Sequence, residues 1–384
     1  MSTGKDIILV VDYHAENIAY RWFDESSGHE RTGKYPTDRE GILRHVEEAR
    51  LAASSTGGEV VWIMESTTGW ARVKELLADK VRFVLANVLQ MPLPPKANRK
   101  KTDHIDTGRM LREYLSDRLP RSFTPDRWWR EVRRLVDFRQ DLVERSTALK
   151  NQITSLLSHE TWDSRENLWS GKGRKRLMSS ELSPGDLSLV SLKLEQLEQL
   201  KRQRETIEQK MEEVYQQWPE AQRVDEIRGI GMITAVSILA HIGPIERFPS
   251  AESLIGYAGL APGVSQSDQT LRHGRIGGGG TDSLLRYMLI ESATWLCQIP
   301  RYRETYERIV QRRGRRIGRI VLARLVLRSI YKMLVSKIRF NPGRRSTCEV
   351  SIANEETVSE RVVGKRLVDK RVVGKRTVSE GVCR

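Results

Sequence analysis

The chain has 384 residues, enough for two or three domains of roughly 100 to 200 residues with ordinary hydrophobic cores. With 39% hydrophobic and 30% charged residues it is not a disordered polymer, and no apolar run approaches the roughly 20 residues of a membrane span, so a soluble protein is expected. The formal charge of +15 is concentrated: residues 301–345 carry 15 basic and 2 acidic side chains, while residues 1–300 are neutral in sum. A solvated helix face normally mixes signs. So dense an arginine block suits a polyphosphate, because guanidinium binds phosphate in a bidentate way and displaces counterions. Nucleic acid is the expected partner. The first stretch, Met1 to Val11, lacks a small-residue cleavage site, so a secretory leader is not expected and the expected compartment is the cytoplasm. Cys297, Cys348 and Cys383 lie far apart and the seven histidines do not cluster. Neither a disulfide framework nor a zinc-ligand set is expected, and any metal should be a hard ion held by oxygen.

In chain order, Ile7 to Val11 (IILVV) reads as a buried strand ending at Asp12, residues 18–24 as a second strand, and Glu30 to Tyr35 as a third. Thr37 or Asp38 caps a helix to about Ala52, and Gly57 and Gly58 break the chain before a strand at Val60 to Met64 that ends at Glu65. A helix near Trp70 to Ala78, a strand at Arg82 to Ala86, a proline-rich loop and a helix from about Thr102 complete a β-β-β-α-β-α-β-α order, the pattern of an α/β layered domain. From Trp128, a heptad runs through Val132, Leu135, Leu142, Leu149, Ile153 and Leu156, interrupted by Arg139 and Ser146; a second series runs from Leu187 to Trp218. The polar stretch Gly171 to Ser183 between them reads as a turn or mobile tip, so the whole is a coiled-coil hairpin. Pro219 ends the second helix, and Ile227-Arg-Gly-Ile-Gly231 before an apolar helix resembles the start of a helix-hairpin-helix module, whose glycines let backbone amides approach a phosphate. Arg301 to Arg319 are expected to continue into one helix with Ile317, Ile320, Val321, Leu325 and Ile330 on its inner side. The end is low in complexity: Val-Val-Gly-Lys-Arg occurs at 362 and again at 372, which reads as a basic tail. The expected domains are 1–120, 121–218, 219–345 and 346–384.

Four acids stand out. Asp12 and Glu65 each follow a buried strand, and Asp103 and Asp106 lie three apart where a helix begins, which puts both on one helix face. Carboxylates brought together repel one another unless a cation neutralises them, and Mg²⁺ or Mn²⁺ is the natural occupant. Such a site can clamp a scissile phosphate. Singly, each acid has a plainer explanation as a turn former, a cap or a partner of the helix dipole.

The segments Val11-Asp12-Tyr13-His14, Met64-Glu65-Ser66-Thr67-Thr68-Gly69 and Lys101-Thr102-Asp103-His104-Ile105-Asp106 resemble the DEDD motif of the insertion sequence 110 family of transposases. Phe248 to Pro262 is similar to the C-terminal transposase domain of that family, and the likeness covers about residues 5–335 in matching order. The resemblance implies a ribonuclease-H-like N-terminal domain similar to Holliday-junction resolvases, a helical C-terminal transposase domain, and recombination directed by a structured bridge RNA that pairs with target and donor DNA. It implies that the acids hold Mg²⁺ and that a serine after the Ala-Pro segment attacks a phosphodiester; Ser267, in Gln266-Ser267-Asp268, falls at that place, with Ser265 as the competitor. Two departures stand out. Asp268 replaces the usual glycine, and Gly277 to Gly280 replaces a Ser/Thr-basic-Gly run, so this copy could be weakened or inactive.

Lys101, Arg272, Arg275, Arg312, Arg313, Arg315 and Arg316 are the expected nucleic-acid contacts. Neither half of the chain holds a complete site, so the metal-bound acids are expected to serve Ser267 or its target phosphate. Strand exchange handles two duplexes, so a homodimer or tetramer is expected, with 128–218 as the contact. The rival readings are a metal-dependent, structure-specific DNA endonuclease using the acids alone, and an inactive nucleic-acid-binding remnant.

Overall fold

The computed structural model describes residues 5–92, 103–157, 168–178, 182–267, 270–276 and 282–340; at 103–104, 176, 178, 262–267, 270–276 and 301 it describes the backbone only. The chain divides between Asp126 and Arg127 into two compact units. The proline-rich loop, Lys101 and the repetitive tail lie outside the described residues.

Unit 1 is built on a five-stranded sheet of β1 (Ile7–Tyr13), β2 (Asn17–Asp24), β3 (Glu30–Pro36), β4 (Val60–Glu65) and β5 (Arg82–Ala86), with α1 (Arg39–Ser54), α2 (Trp70–Leu77) and α3 (Asp103–Leu115). The strand order is β3-β2-β1-β4-β5. β1, β2 and β3 pair antiparallel, while β4 lies parallel to both β1 and β5. β1 and β4 are covered on both faces, which is why their sequences are continuous apolar runs rather than alternating ones. Leu9, Val11, Trp62 and Met64 pack against Ile42, Val46 and Ala49 of α1 and Val73 and Leu77 of α2. Ile8, Val10, Val61 and Ile63 pack on the opposite face against Met110 and Leu111 of α3. Asp38 caps α1 as expected, accepting from the Gly41 N–H at 2.5 Å.

Unit 2 is helical. α4 (Arg127–Leu157) and α6 (Pro184–Gln216) pack along one another as the expected hairpin. Arg139, which interrupts the apolar seam, is satisfied across it by Glu208, with Nη2 at 2.8 Å from Oε1. Ser146 donates to the Leu142 carbonyl at 2.7 Å. The expected tip is not a bare turn: residues Gly171–Met178 form a helix, α5. Leu168 and Leu177 are buried there with Ile153, Leu157, Val190 and Leu197, and the Ser170 hydroxyl accepts from the Gly173 N–H. A polar sequence with two apolar anchors is thus held helical by burying them, a tertiary effect that overrides local composition.

Pro219 opens a further helix rather than only ending the previous one: α7 (Pro219–Asp225) is followed by α8 (Met232–Ile242) and α9 (Ala251–Tyr257). The Gly-Ile-Gly segment is the α7–α8 turn. Gly229 has φ +92°, and a Cβ there would lie 2.4 Å from Cβ of Trp295, so only glycine fits. A two-stranded hairpin of β6 (Pro262–Ser267) and β7 (Thr270–Ile276) precedes α10 (Ser283–Leu296), α11 (Pro300–Arg313) and α12 (Arg315–Ser336). The arginine segment is therefore two helices, not one, broken at Gly314 with φ +87°. The inner side also differs in part from the expected one. Leu322, Ala323, Val326, Leu327 and Ile330 are buried, whereas Ile317 is 39% exposed and Ile320, Val321 and Leu325 are only partly covered. The expectation is met in part: Ile330 is buried and Ile320 and Leu325 pack against the core, while Ile317 does not. Among the described residues no helix is long and apolar enough to cross a membrane.

Candidate active site

In unit 1 the last parallel pairing of β1 with β4 is Val11 with Met64, and the next residues are Asp12 and Glu65. Alternation along the strands carries both acids onto the face that Ile8, Val10, Val61 and Ile63 present to α3. Adjacent strands run about 4.8 Å apart, so the two carboxylates leave the sheet side by side. The Asp12 side chain is 16% exposed, with His14 Nε2 at 3.3 Å from its Oδ2. Asp106 is half-buried one turn into α3, which begins at Asp103. The Asp103 side chain is outside the described residues. Among the described residues, no three His, Cys, Asp or Glu side chains lie close enough to hold one ion together.

Arg21, which motif reading passes over, fixes α3 to this face. It is buried in β2, forms an ion pair with Glu30, and its Nε lies 3.4 Å from the Thr107 hydroxyl. Gly108 admits the contact, since a Cβ would sit 3.0 Å from Arg21 Nη2. An arginine inside an otherwise apolar strand was the available signal.

The donor set fits a small hard cation. Mg²⁺ takes oxygen ligands in octahedral array and is commonly held by one or two carboxylates, with water and substrate phosphate completing the shell. Asp12 and Glu65, on neighbouring strand ends, are such a pair; Asp106 does not join them in a three-acid cluster among the described residues.

In unit 2, Ser267 ends β6 opposite Thr270, and Ser265 stands opposite Arg272. The side chains of Ser265, Ser267, Arg272 and Arg275 are outside the described residues, as are Asp268 and Gly277 to Gly280 entirely. Arg312, Arg313, Arg315 and Arg316 are exposed on either side of the Gly314 break. Not every basic residue of the block faces outward. Arg328 is buried with Nε 3.2 Å from Glu252 Oε1, and Arg324 donates to the Leu260 carbonyl at 2.9 and 2.8 Å.

A polar cluster surrounds Asp282, just ahead of α10. His241, 6% exposed, places Nδ1 2.6 Å from Asp282 Oδ2 and Nε2 3.3 Å from Asp137 Oδ1. Arg133 donates to Asp282 Oδ2 (3.2 Å), to the Tyr257 hydroxyl (3.2 Å) and to the His241 carbonyl (3.0 Å). Burial alone would lower the His241 pKa, but the hydrogen bonds to Asp137 and Asp282 outweigh it and hold the ring above its ordinary value. Burial likewise opposes ionisation of Asp282, yet His241, the Leu285 N–H and Arg133 keep its pKa below the usual range. The sequence signal for this cluster is faint: a histidine closing an apolar helix just before Gly243.

A sequence model described as "Transposase IS116/IS110/IS902 family" matches residues 221–307, and one for DEDD transposases of the IS110 type matches residues 10–160. Over these two stretches the chain is similar to transposases of the IS110 type. It is 27% identical over 209 residues to the "Putative transposase y4qE" of Sinorhizobium fredii, covering 53% of this chain and 49% of that protein. It is 28% identical over 142 residues to the "Transposase for insertion sequence element IS1111A" of Coxiella burnetii, covering 34% of this chain and 37% of that protein. The chain thus spans about half or less of the length of the curated relatives it matches. The match over 10–160 includes Asp12, Glu65, Asp103 and Asp106, and the match over 221–307 includes the serine hairpin.

Proposed function

We propose that this protein is a DNA transposase that breaks and rejoins strands with an acidic metal site and a serine nucleophile, guided by a bridge RNA and acting as a homodimer or tetramer. The observation that carries the reading is the placement of Asp12 and Glu65 at the ends of neighbouring parallel strands, on the face covered by the helix that begins with Asp103 and Asp106. The strand order β3-β2-β1-β4-β5, with the first three antiparallel and the last two parallel, supports a ribonuclease-H-like assignment for unit 1. The exposed arginines at 312, 313, 315 and 316 support a nucleic-acid partner.

Asp12, Glu65, Asp103 and Asp106 would hold the Mg²⁺ or Mn²⁺. When bound, such an ion supplies positive charge that stabilises a phosphodiester as it gains a fifth oxygen. The Ser267 hydroxyl forms a bond to the DNA phosphorus; one bridging P–O bond breaks, and the departing oxygen takes up the proton that the serine gives up. The phosphodiester is conserved as a serine ester, so a hydroxyl end of a second strand can reverse the step and rejoin without an energy-rich cofactor. Lys101, Arg272 and Arg275 would hold phosphates around the scissile one, with 128–218 as the contact between protomers.

The test is trapping on donor and target plasmids carrying the DNA that flanks this reading frame. A covalent protein–DNA adduct that disappears in Ser267→Ala, together with loss of recombination in Asp103→Asn, supports the reading. Clean hydrolysis that survives Ser267→Ala would identify a structure-specific endonuclease instead, and binding without any cutting a catalytically dead copy.

A further inference from the structure

Unit 1 holds a cavity of about 330 Å³ lined from α1, α2 and the end of β1. Asp12 points to the α3 face, and alternation turns the next residue, Tyr13, to the other face, where its ring packs with the core and lines the cavity. Ile42, Val73 and Leu76 supply apolar walls, and Arg39 and Arg72 the cationic ones. The Tyr13 ring also lies against Gly69, whose φ is +105°; a Cβ there would sit 2.9 Å from the ring, so only glycine fits.

Helix stability does not account for the two arginines. Arg39 opens α1 and Arg72 lies in the first turn of α2, the end where the helix dipole is positive and an acidic side chain is favoured. The first turn of α2 has no acid, and Gly69 gives it no side-chain cap. Among the described residues neither guanidinium has an ion-pair or hydrogen-bond partner. The acids that share the cavity are committed: Asp38 accepts from the Gly41 N–H, and Glu75 has a partner of its own. Two guanidiniums without a protein acceptor thus share one cavity with an aromatic ring. Its volume lies at the lower end of the range for sites that hold an organic molecule, and exceeds what a lone phosphate needs.

We propose that this cavity binds a nucleotide of a single strand, with Arg39 and Arg72 on its phosphate and its base against Tyr13 and the apolar wall. Guanidinium grips phosphate through a fixed fork of donors, and stacking on an aromatic ring holds an unpaired base whatever its identity. A base inside a duplex has both faces covered by its neighbours, so the site selects an unpaired one. The proposal deepens the function above and rests on it in one respect, that the substrate is nucleic acid. Tyr13 adjoins Asp12 in β1, so a strand seated here lies next to the carboxylates. Single-stranded DNA and RNA share this chemistry, and the experiment tells them apart.

The experiment measures the affinity of the full-length protein for labelled oligonucleotides of about ten nucleotides, as single-stranded DNA, single-stranded RNA and duplex, with EDTA present so that no metal takes part. Wild type is expected to prefer a single strand, and the tighter of DNA and RNA names the source. Arg39→Gln, Arg72→Gln and Tyr13→Ala should each weaken single-strand binding about fivefold or more. The two arginine changes together should lower the salt slope by about 0.7, the value for one phosphate of a single strand. Tyr13→Phe keeps the ring and should bind within about twofold of wild type, as should Arg44→Gln, which changes an exposed arginine of α1 outside the cavity. Stability in urea is expected to hold or rise in both arginine variants, because each removes a cation from the first turn of a helix. An equal loss in Arg44→Gln would mean diffuse attraction and overturns the proposal. So do unchanged affinity in the cavity variants, equal affinity for the duplex, or displacement of the strand by polyglutamate of equal charge. If Tyr13→Ala does not fold, the arginine pair set against Arg44→Gln decides. Failure of the catalytic reading looks different: normal recombination by Asp103→Asn and Ser267→Ala would end that reading while these affinities stood.

Discussion

Among the described residues each unit buries one histidine, and the pKa values of the two are shifted in opposite directions. His45 of unit 1 lies among aromatic rings, with centroids 4.2 Å from Tyr20, 4.6 Å from Tyr35 and 5.8 Å from Trp22. Burial pushes its pKa down to about 4, and Glu48 only partly offsets this. His241 of unit 2 is buried as deeply, but lies between two carboxylates, and its pKa is raised instead. Burial thus does not set the charge of a histidine; the groups at its two nitrogens do. The contrast extends to the acids of the two units. Asp12 and Glu65 are placed by strand register inside an apolar sheet, whereas Asp282 ahead of α10 is held by side-chain charges.

The comparison is broken most forcefully by the acid response of unit 1. The unfolded chain protonates His45 near its ordinary pKa of 6.5, while the folded chain resists until about 4. Its contribution is complete above pH 6.5 and is lost between about 6.5 and 4, up to about 3 kcal/mol. His45→Phe should flatten that part of the stability profile. His241 has the opposite sign: its raised pKa stabilises below the ordinary value, and that contribution fades as pH rises through the folded one. Next comes unit 2. Replacing Asp282 by alanine takes one of two carboxylates from the buried His241 ring, one partner from the partly exposed Arg133, and the α10 cap; a loss of about 2 kcal/mol in urea unfolding at pH 6 is expected. Full stability in that variant would mean that the ion set is ornamental.

An effect of similar size is expected at Arg21. Arg21→Met strands the half-exposed Glu30 and frees Thr107, costing about 2 kcal/mol, with faster hydrogen exchange concentrated in α3. The smallest belongs to the surface. Arg316→Gln with Arg319→Gln should move stability by less than about 0.5 kcal/mol, yet lower the salt dependence of nucleic-acid affinity by about two units of slope. An unchanged slope would remove these side chains from the nucleic-acid interface.

Much of unit 1 was legible in the sequence because its signals are local. The runs at 7–11 and 60–64 are continuous because both faces are covered, and the acids that follow them are conspicuous as the first charges after a buried strand. The hairpin of α4 and α6 was legible for the same reason, down to the interruption at Arg139, although its partner Glu208 lies 69 residues away. What escaped depends on partners distant in sequence. α5 is helical only because Leu177 reaches the α4–α6 core, and the ion set unites positions 133, 137, 241, 257 and 282 from separate elements. The break at Gly314 was missed for another cause: a glycine among arginines leaves the composition of the block unchanged while ending one helix and starting the next.

That break has an electrostatic consequence. The last turn of α11 carries Arg312 and Arg313 beside a partial negative charge, a comfortable arrangement, but α12 opens with Arg315 and Arg316 at its partially positive end, with no acidic residue in the first turn and no side-chain cap. The corner therefore concentrates positive charge, which a polyanion laid across it would offset. Nucleic acid should raise the melting temperature of this protein most at low ionic strength, where the repulsion it discharges is greatest.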